Sequence, residues 1–239
     1  ILVVGTAGGN APNIVANTAA GNARGQYAID LQLAGTVAQV ASGARSAILG
    51  GSLNTASGAD STVAGGYQCV ASGTYTFVSG AFNTASAQSA SVVGGISNTA
   101  SHLGATIVGG TNNISSNDYS VSVGGDGNTS SGAYSATIGG TLWVADETFA
   151  IAFGRRAHSH HRSFVYADST DEDFNSLVHD EFNIRARGGF RHAYDDSNYW
   201  TAQVTSAGAV TFNAVGASAG FTFSGPLSNT IEVLTTATI

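Results

Sequence analysis

The sequence predicts an all-β protein: a β-solenoid or β-roll of about eight 15-residue coils, followed by a small β-rich C-terminal region. Three markers that repeat in phase predict this fold. The first is the glycine that closes each short apolar run, at Gly50, Gly65, Gly80, Gly94, Gly109, Gly124, Gly139 and Gly154. The second is an asparagine shortly after that glycine, as at Asn98, and the third is an Ala-Ser pair, as at Ala100-Ser101. Helical-hairpin repeats need roughly 30 residues or more per unit, so this period excludes them.

The composition of each unit predicts strands rather than a helix. A unit reads as about four apolar residues, then Gly-Gly, Asn and Ser-Gly, as in Ala47–Gly58. Short runs rich in Val and Ile between Gly, Asn and Ser are strand signals with turn punctuation. Glycine, Ser, Thr and Asn also disfavour the interior of a helix. Each unit is therefore interpreted as one coil, made of a strand, a glycine turn, a second short strand and another turn.

Several coils carry apolar residues on both faces of the first strand. Val92 and Val93 are neighbours in one coil, and Ile107 and Val108 are neighbours in the next. Neighbouring strand residues point to opposite sides, so such a strand needs a cover on each side. The inside of the coil covers one side. We expect a second copy of the chain to cover the other, in an intertwined homotrimer with three chains around one axis.

The composition argues against two classes of function, nucleic-acid binding and membrane insertion. Only 10% of the 239 residues are charged, against about 25% in a typical protein. The net charge of −7 argues against nucleic-acid binding, which needs a basic face. No run of about 18 apolar residues predicts a membrane-spanning helix, so no membrane insertion is expected. Cys69 occupies an asparagine position of the repeat and is predicted to be a small buried apolar residue. Because the chain begins with Ile1, we expect a piece excised from a longer protein.

Composition also divides the chain into four parts. Residues 1–40 form an N-terminal connecting segment, and residues 41–157 form the β-roll repeat domain. Residues 158–196 form a charged loop and strand region, in which the charge density rises abruptly. Residues 197–239 return to low charge with alternating apolar residues, and they are interpreted as C-terminal β-strands.

The stretch ARSAILGGSLNTASGADSTVAGG, Ala44–Gly66, resembles two related repeats. One forms the left-handed β-roll head of trimeric autotransporter adhesins, and the other occurs in tail fibres of tailed bacteriophages. RGQYAIDLQ, Arg24–Gln32, and the pattern FGRRA…SFVYADST…F…NIRARGG, within Phe153–Gly189, are similar to the flanks of the bacteriophage arrangement. The resemblance therefore implies a trimeric fibre with a left-handed β-roll repeat.

The resemblance implies a structural role without enzymatic activity. The expected function is that of a component of a trimeric phage tail fibre, located in the virion as a tail appendage and involved in host attachment. Its expected partners are its own copies, other virion tail proteins, and a glycan or protein of the host surface. The alternative is the head of a bacterial trimeric adhesin at the cell surface. A depolymerising tailspike enzyme is disfavoured, because its groove would usually need longer coils and larger insertions.

The HSHH stretch, His158–His161, contains a candidate metal site. In a trimer, His158 and His160 from three chains would supply six imidazoles to one transition-metal ion on the axis. Phage fibres use this device, so the resemblance favours it. The alternative is a polar turn whose histidines lie in solvent. No cofactor is expected to be required.

Two other polar stretches are candidates for ligand contact. The carboxylates of DSTDEDFNS, Asp168–Ser176, are interpreted as a solvated loop rather than a calcium or glycosidase site. The YDDSNYW stretch combines aromatic rings with carboxylates, which suits contact with a glycan but equally suits an ordinary strand edge. Its candidate contact residues are Tyr194, Asp195, Asp196, Tyr199 and Trp200.

Overall fold

A computed structural model of the protein describes residues 24–32, 39–193, 199–204 and 210–215. These residues form strands and turns, and none of them lies in a helix. Most of the strands stack in parallel into a β-solenoid of about ten coils. The predicted all-β solenoid is therefore confirmed, whereas the homotrimer, which concerns several chains, stays a prediction.

Sheet A contains eleven parallel strands, which are hydrogen-bonded in the order given. They are β1 (Ile29–Asp30), β2 (Ala47–Ile48), β4 (Thr62–Tyr67), β6 (Phe77–Ala81), β8 (Ser91–Val92), β10 (Thr106–Ile107), β12 (Val121–Val123), β14 (Ala136–Thr141), β16 (Ile151–Arg155), β18 (Phe164–Ala167) and β20 (Phe182–Arg185). Because alternate strands in chain order belong to this sheet, each coil contributes one strand to it.

Sheet B contains nine parallel strands on the other side of each coil. They are β3 (Thr55–Ala56), β5 (Val70–Ala71), β7 (Thr84–Ala85), β9 (Thr99–Ala100), β11 (Ile114–Ser115), β13 (Thr129–Ser130), β15 (Val144–Ala145), β17 (Ala157–Ser159) and β19 (Phe174–Asn175). The predicted boundary between the repeat domain, residues 41–157, and the charged region, residues 158–196, stays a prediction; β17 contains residues from both sides of that boundary.

The interior of each coil is narrow and holds small side chains. In sheet A the inward position is filled by residues such as Val92 and Ile107, and in sheet B by residues such as Ala85 and Ala100, all of which are fully buried. These residues belong to an apolar cluster that extends from Ala41 to Ile107. A second apolar cluster extends from Trp143 to Ala167. Small buried side chains at equivalent positions therefore stack from coil to coil and form the core, as the repeat predicted.

The repeated asparagines form a ladder inside the solenoid, which we call the asparagine ladder. Its members are buried and share one position in each coil: Asn54, Asn83, Asn98, Asn113 and Asn128. The Asn98 side chain accepts the N–H of Asn113 at 2.9 Å and donates to the carbonyls of Gly94 at 3.2 Å and Gly110 at 2.9 Å. One amide thus satisfies backbone groups in its own coil and in the next. A buried polar group needs such partners, which explains why the marker is asparagine.

Other residues interrupt or terminate the ladder. Gln32 begins it, because its side chain accepts the N–H of Asn54 at 2.8 Å and donates to the Asn54 carbonyl at 3.2 Å. Trp143 ends it, and its backbone N–H donates to the side-chain oxygen of Asn128 at 3.1 Å. Cys69 is a free thiol and is fully buried, as predicted, and desolvation by burial raises the pKa of that thiol.

The paired glycines make the first turn of the coil possible. Gly110 has a φ of +88°, and a Cβ at this position would collide with the carbonyl oxygen of Gly125 in the next coil. A side chain here would therefore separate neighbouring coils. This close approach explains why the second glycine of the Gly-Gly marker recurs.

The chain divides into two compact units, residues 1–185 and residues 186–239. The second unit contains sheet C, which is antiparallel and consists of β21 (Phe190–Ala193), β22 (Tyr199–Val204) and β23 (Val210–Val215). A small β-rich region was predicted after the solenoid, and this sheet is one; β21 precedes the predicted start at residue 197, and the bounds 197–239 stay a prediction.

Candidate functional site

The outward side of sheet A carries an apolar stripe that extends along the first unit. We use this name for six residues, each of which follows the inward position of its coil: Leu49, Val93, Val108, Ile138, Tyr166 and Ile184. Ala64 and Ser79 occupy the same position in two other coils. Their exposure lies between 37% and 51%. Monomeric proteins rarely expose long continuous apolar surfaces, and such surfaces commonly mark sites of association. The apolar stripe is therefore the candidate interaction surface.

The outward side of sheet B has a different chemistry. Its two-residue strands pair one buried small residue with one partly exposed residue. The partly exposed residue is threonine in Thr55, Thr84, Thr99 and Thr129, and it is apolar in Val70, Ile114 and Val144. Hydroxyl groups on this side can bond to water, whereas the valine and leucine side chains of the apolar stripe cannot. The outward side of sheet B thus mixes hydroxyl and apolar side chains, and it calls for an apolar cover less than the outward side of sheet A does.

Three exposed aromatic rings stack along one turn of the solenoid, and we call them the aromatic stack. The ring centroids of Tyr119 and Tyr134 are 5.3 Å apart, and those of Tyr134 and Phe149 are 5.2 Å apart. The ring planes differ by only 13° and 17°. All three residues have φ between 55° and 59°, so they occupy the same left-handed turn of successive coils. The repeat marks this position poorly, because other coils place Asp60 or Gly104 there.

The two predicted metal ligands lie side by side near the end of the solenoid. The rings of His158 and His160 stack with centroids 4.7 Å apart. His158 Nε2 lies 2.7 Å from Oδ2 of Asp146, and His160 Nδ1 lies 2.9 Å from Oγ of Ser176. One nitrogen of each ring is therefore already engaged by the protein.

A metal site within one chain has no support in the part of the protein that the structure describes. There, no three or more His, Cys, Asp or Glu side chains are placed to hold a metal ion. His158 also lies on β17 of sheet B, whereas the apolar stripe lies on sheet A. The predicted ion on the trimer axis requires His158 and His160 from three chains, and it stays a prediction.

Arginine residues hold the acidic loop after β18. Arg155 lies 2.9 Å from Asp171, and Arg156 lies 2.7 Å from Asp173. Arg185 lies 3.3 Å from Asp168, and its guanidinium donates to the carbonyl oxygen of Glu172 at 2.9 Å. These carboxylates thus face arginines rather than one another, as a surface loop requires.

Sequence reasoning missed the central position of Arg185. Besides Glu172, its guanidinium donates to the carbonyls of Arg155, Thr170 and Asp173 at 3.3–3.4 Å. It also lies 5.1 Å from the centre of the Phe174 ring. No local sequence motif predicts this role, because the partners are separated from Arg185 by between 11 and 30 residues.

Two exposed ion pairs occupy the same turn position in distant coils. Arg45 pairs with Asp60 at 2.6 Å, and Arg162 pairs with Asp180 at 2.6 Å. Hydrogen bonding to the guanidinium lowers the pKa of Asp60 and of Asp180. Each pair joins one coil to the next.

The predicted glycan-contact stretch is only partly described. Tyr194, Asp195 and Asp196 lie outside the described residues. Tyr199 and Trp200 belong to β22, where the Trp200 backbone pairs with His192 and Ala214 on either side. Glycan contact at these residues stays a prediction.

The architecture of the first unit is that of a parallel β-solenoid with the apolar stripe on its outer side. No protein-family model matches the chain, and no significant match was found among curated proteins or solved structures. The described residues include no helix that could span a lipid bilayer.

Proposed function

We propose that this chain is a structural segment of a homotrimeric fibre and has no enzymatic activity. The observation that carries the proposal is the apolar stripe of sheet A. It recurs along the solenoid, with Ala64 and Ser79 at the same position in two coils, and its residues are 37–51% exposed in one chain. Solenoid folds are typical of structural proteins, because their stacked coils produce an extended shape.

Association along the stripe would bury the side chains that one coil cannot enclose. Ten coils at the strand spacing of about 4.8 Å give a contact face about 48 Å long. Burial of apolar area over that length provides the driving force, and the more polar outward side of sheet B stays in water. Three chains around an axis are the arrangement that the family resemblance implies.

The proposed setting is the tail fibre of a tailed bacteriophage. Ala44–Gly66 and its two flanking stretches support this setting through their resemblance, and the low charge suits a fibre surface wetted by Ser, Thr and Asn. In that setting the partners are other virion tail proteins and a host-surface glycan or protein. The alternative setting is the head of a trimeric adhesin on a bacterial surface.

The first experiment is the native mass by light scattering, with a gel run in SDS before and after boiling. We expect a mass of three chains and a detergent-resistant band. Val108→Glu places a charge in the apolar stripe and is expected to shift the mass to one chain. Thr99→Glu places the same charge on sheet B and should leave the trimer intact. A native mass of one chain would refute the fibre proposal, as would equal behaviour of the two variants.

A second experiment separates the two settings. Antibodies raised against this chain are applied to phage particles and to intact uninfected bacteria from a culture that produces the chain, with gold labels for electron microscopy. Label on the tail appendage supports the fibre, whereas label on the surface of uninfected cells supports the adhesin.

A further inference from the structure

We propose that residues 113–137 form a joint at which the solenoid opens before the rest of the rod, and that the aromatic stack braces this joint from outside. The two apolar clusters end on either side of this segment, at Ile107 and at Trp143. The coils between them have a different interior, and we call them the hydroxyl joint.

Hydroxyl groups fill the interior of the hydroxyl joint. Ser115, Ser122, Ser130 and Thr137 are all fully buried. The Ser122 hydroxyl lies 2.9 Å from that of Thr137 and 3.2 Å from those of Ser115 and Ser130, and the Ser130 and Thr137 hydroxyls are 3.0 Å apart. Ser115 also donates to the Thr106 carbonyl at 3.3 Å, and Ser130 to the Val121 carbonyl at 2.8 Å.

Strand register shows what these residues replace. Ser122 pairs with Ile107 in the preceding coil, and Ser115 pairs with Ala100. On the other side, Ser130 pairs with Ala145. Positions that are apolar in the flanking coils are therefore hydroxylic here.

The replacement of apolar interior residues by serine and threonine lowers the local stability of the segment. An apolar side chain gains stability when it leaves water, and a serine in its place gives up most of that gain. Its hydrogen bonds replace bonds to water, so their net contribution is small. In a solenoid each coil contacts only its neighbours, so stability is a local property and a weak coil can open by itself.

The aromatic stack covers the same part of the rod. Tyr119 and Tyr134 belong to turns within the hydroxyl joint, and Phe149 carries the stack into the coil that follows. In a coil with an apolar interior, Tyr75 occupies the same left-handed turn with φ of 61°, and it has no ring partner among the described residues. At this turn position the rings stack within the hydroxyl joint and into the coil that follows it, whereas Tyr75 lies in a coil with an apolar interior and stacks on no ring of the described chain. This distribution assigns the aromatic stack the role of a brace.

Hydrogen exchange of the intact chain, followed by mass spectrometry, tests the joint. Peptides within residues 113–137 are expected to exchange about tenfold faster than peptides within 84–107 or 143–165, after correction for intrinsic rates. Equal protection across the three segments would overturn the proposal.

Two sets of variants test the cause. Tyr134→Ala removes the middle ring and should accelerate exchange by about another tenfold within the joint alone. Tyr75→Ala removes an unstacked ring at the equivalent turn and should leave the joint unchanged. If both variants act alike, or if Tyr134→Ala accelerates exchange along the whole rod, the brace is refuted.

The reverse change keeps the proposal testable if Tyr134→Ala does not fold. The combination Ser115→Ala, Ser122→Val, Ser130→Ala and Thr137→Val copies the apolar interior of the flanking coils. It should slow exchange within residues 113–137 to the rate of those coils. Unchanged or faster exchange in this variant would show that the hydroxyl interior is not the cause.

Discussion

Coils with the asparagine ladder differ sharply in regularity from the coils that follow it. Between Asn83 and Asn128, partner residues in sheets A and B are 15 positions apart, as for Val92 and Ile107. Beyond the ladder, Ile151 pairs with Phe164 and Phe164 with Phe182, so the offset is 13 and then 18. The solenoid continues in both regions, but only one region keeps a constant coil length.

The buried amides explain the difference. Asn98 must reach a carbonyl four residues before it, a carbonyl twelve residues after it and the N–H of Asn113. An inserted residue would leave at least one of these buried groups without a partner. In the last coils, ion pairs on the outside, such as Arg156 with Asp173, join the coils instead. Surface pairs tolerate insertions, so the irregular coils can display histidine, arginine and aspartate side chains.

The largest effect is expected where the ladder ends. Trp143 is almost fully buried, and its ring lies 6.1 Å from that of Phe153. Trp143→Ala should lower the free energy of unfolding by about 4 kcal/mol, because it leaves a large cavity in a narrow core. Urea denaturation measures this value. Leu177→Ala removes an exposed side chain in the irregular coils and should change stability by less than about 0.5 kcal/mol.

The next effect tests the ladder itself. Asn98→Ala should lower the free energy of unfolding by about 3 kcal/mol, because buried groups of Gly94, Gly110 and Asn113 lose their partner. Asn175→Ala changes an exposed asparagine on β19 and serves as the matched control. Similar losses for the two variants, measured by thermal or urea unfolding, would show that the ladder does not set the regular region apart.

An intermediate effect is expected at the anchor of the irregular coils. Arg185→Ala should cost about 1.5 kcal/mol, because the acidic loop loses several hydrogen bonds to its carbonyls. Arg185→Lys keeps the charge but cannot span those carbonyls, so it should behave like the alanine variant. Limited proteolysis should then cut within residues 168–173. Full protection of this loop in Arg185→Lys would mean that charge alone holds it.

The smallest expected effect is on the stability of the fold at acidic pH. Because Arg45 lowers the pKa of Asp60 and Arg162 lowers the pKa of Asp180, each pair stabilises the fold at pH values above the unfolded pKa of aspartate. That contribution is lost as the pH falls through the lowered folded values. Asp180→Asn and Asp60→Asn should each slightly reduce the loss of stability below about pH 4. Since both pairs are exposed, 1 M salt should suppress the difference. A variant whose acid unfolding curve matches the parent at low salt would show that its ion pair contributes nothing.

The sequence alone was sufficient for the fold class, because three markers in phase define a coil length and a stacking direction. It marked Asn98 and its equivalents as a repeat position, but it did not reveal that their amides join successive coils inside the core. The contact of His158 with Asp146 and the bonds of Arg185 were not predictable, because they depend on the variable offsets of the last coils. The resemblance to tail fibres supplied a function that neither the fold nor the comparisons test.

The asparagine ladder also acts as a rule for how the length of the rod can change. Each rung contacts only the coil before it and the coil after it, so a duplicated 15-residue unit would meet the same partners as its template. Such a duplication would extend the solenoid by about 4.8 Å and leave the other coils in place. A duplication of any other length would leave buried groups without hydrogen-bond partners at the asparagine that it interrupts. Recombination between repeats could therefore adjust the reach of the rod in fixed increments.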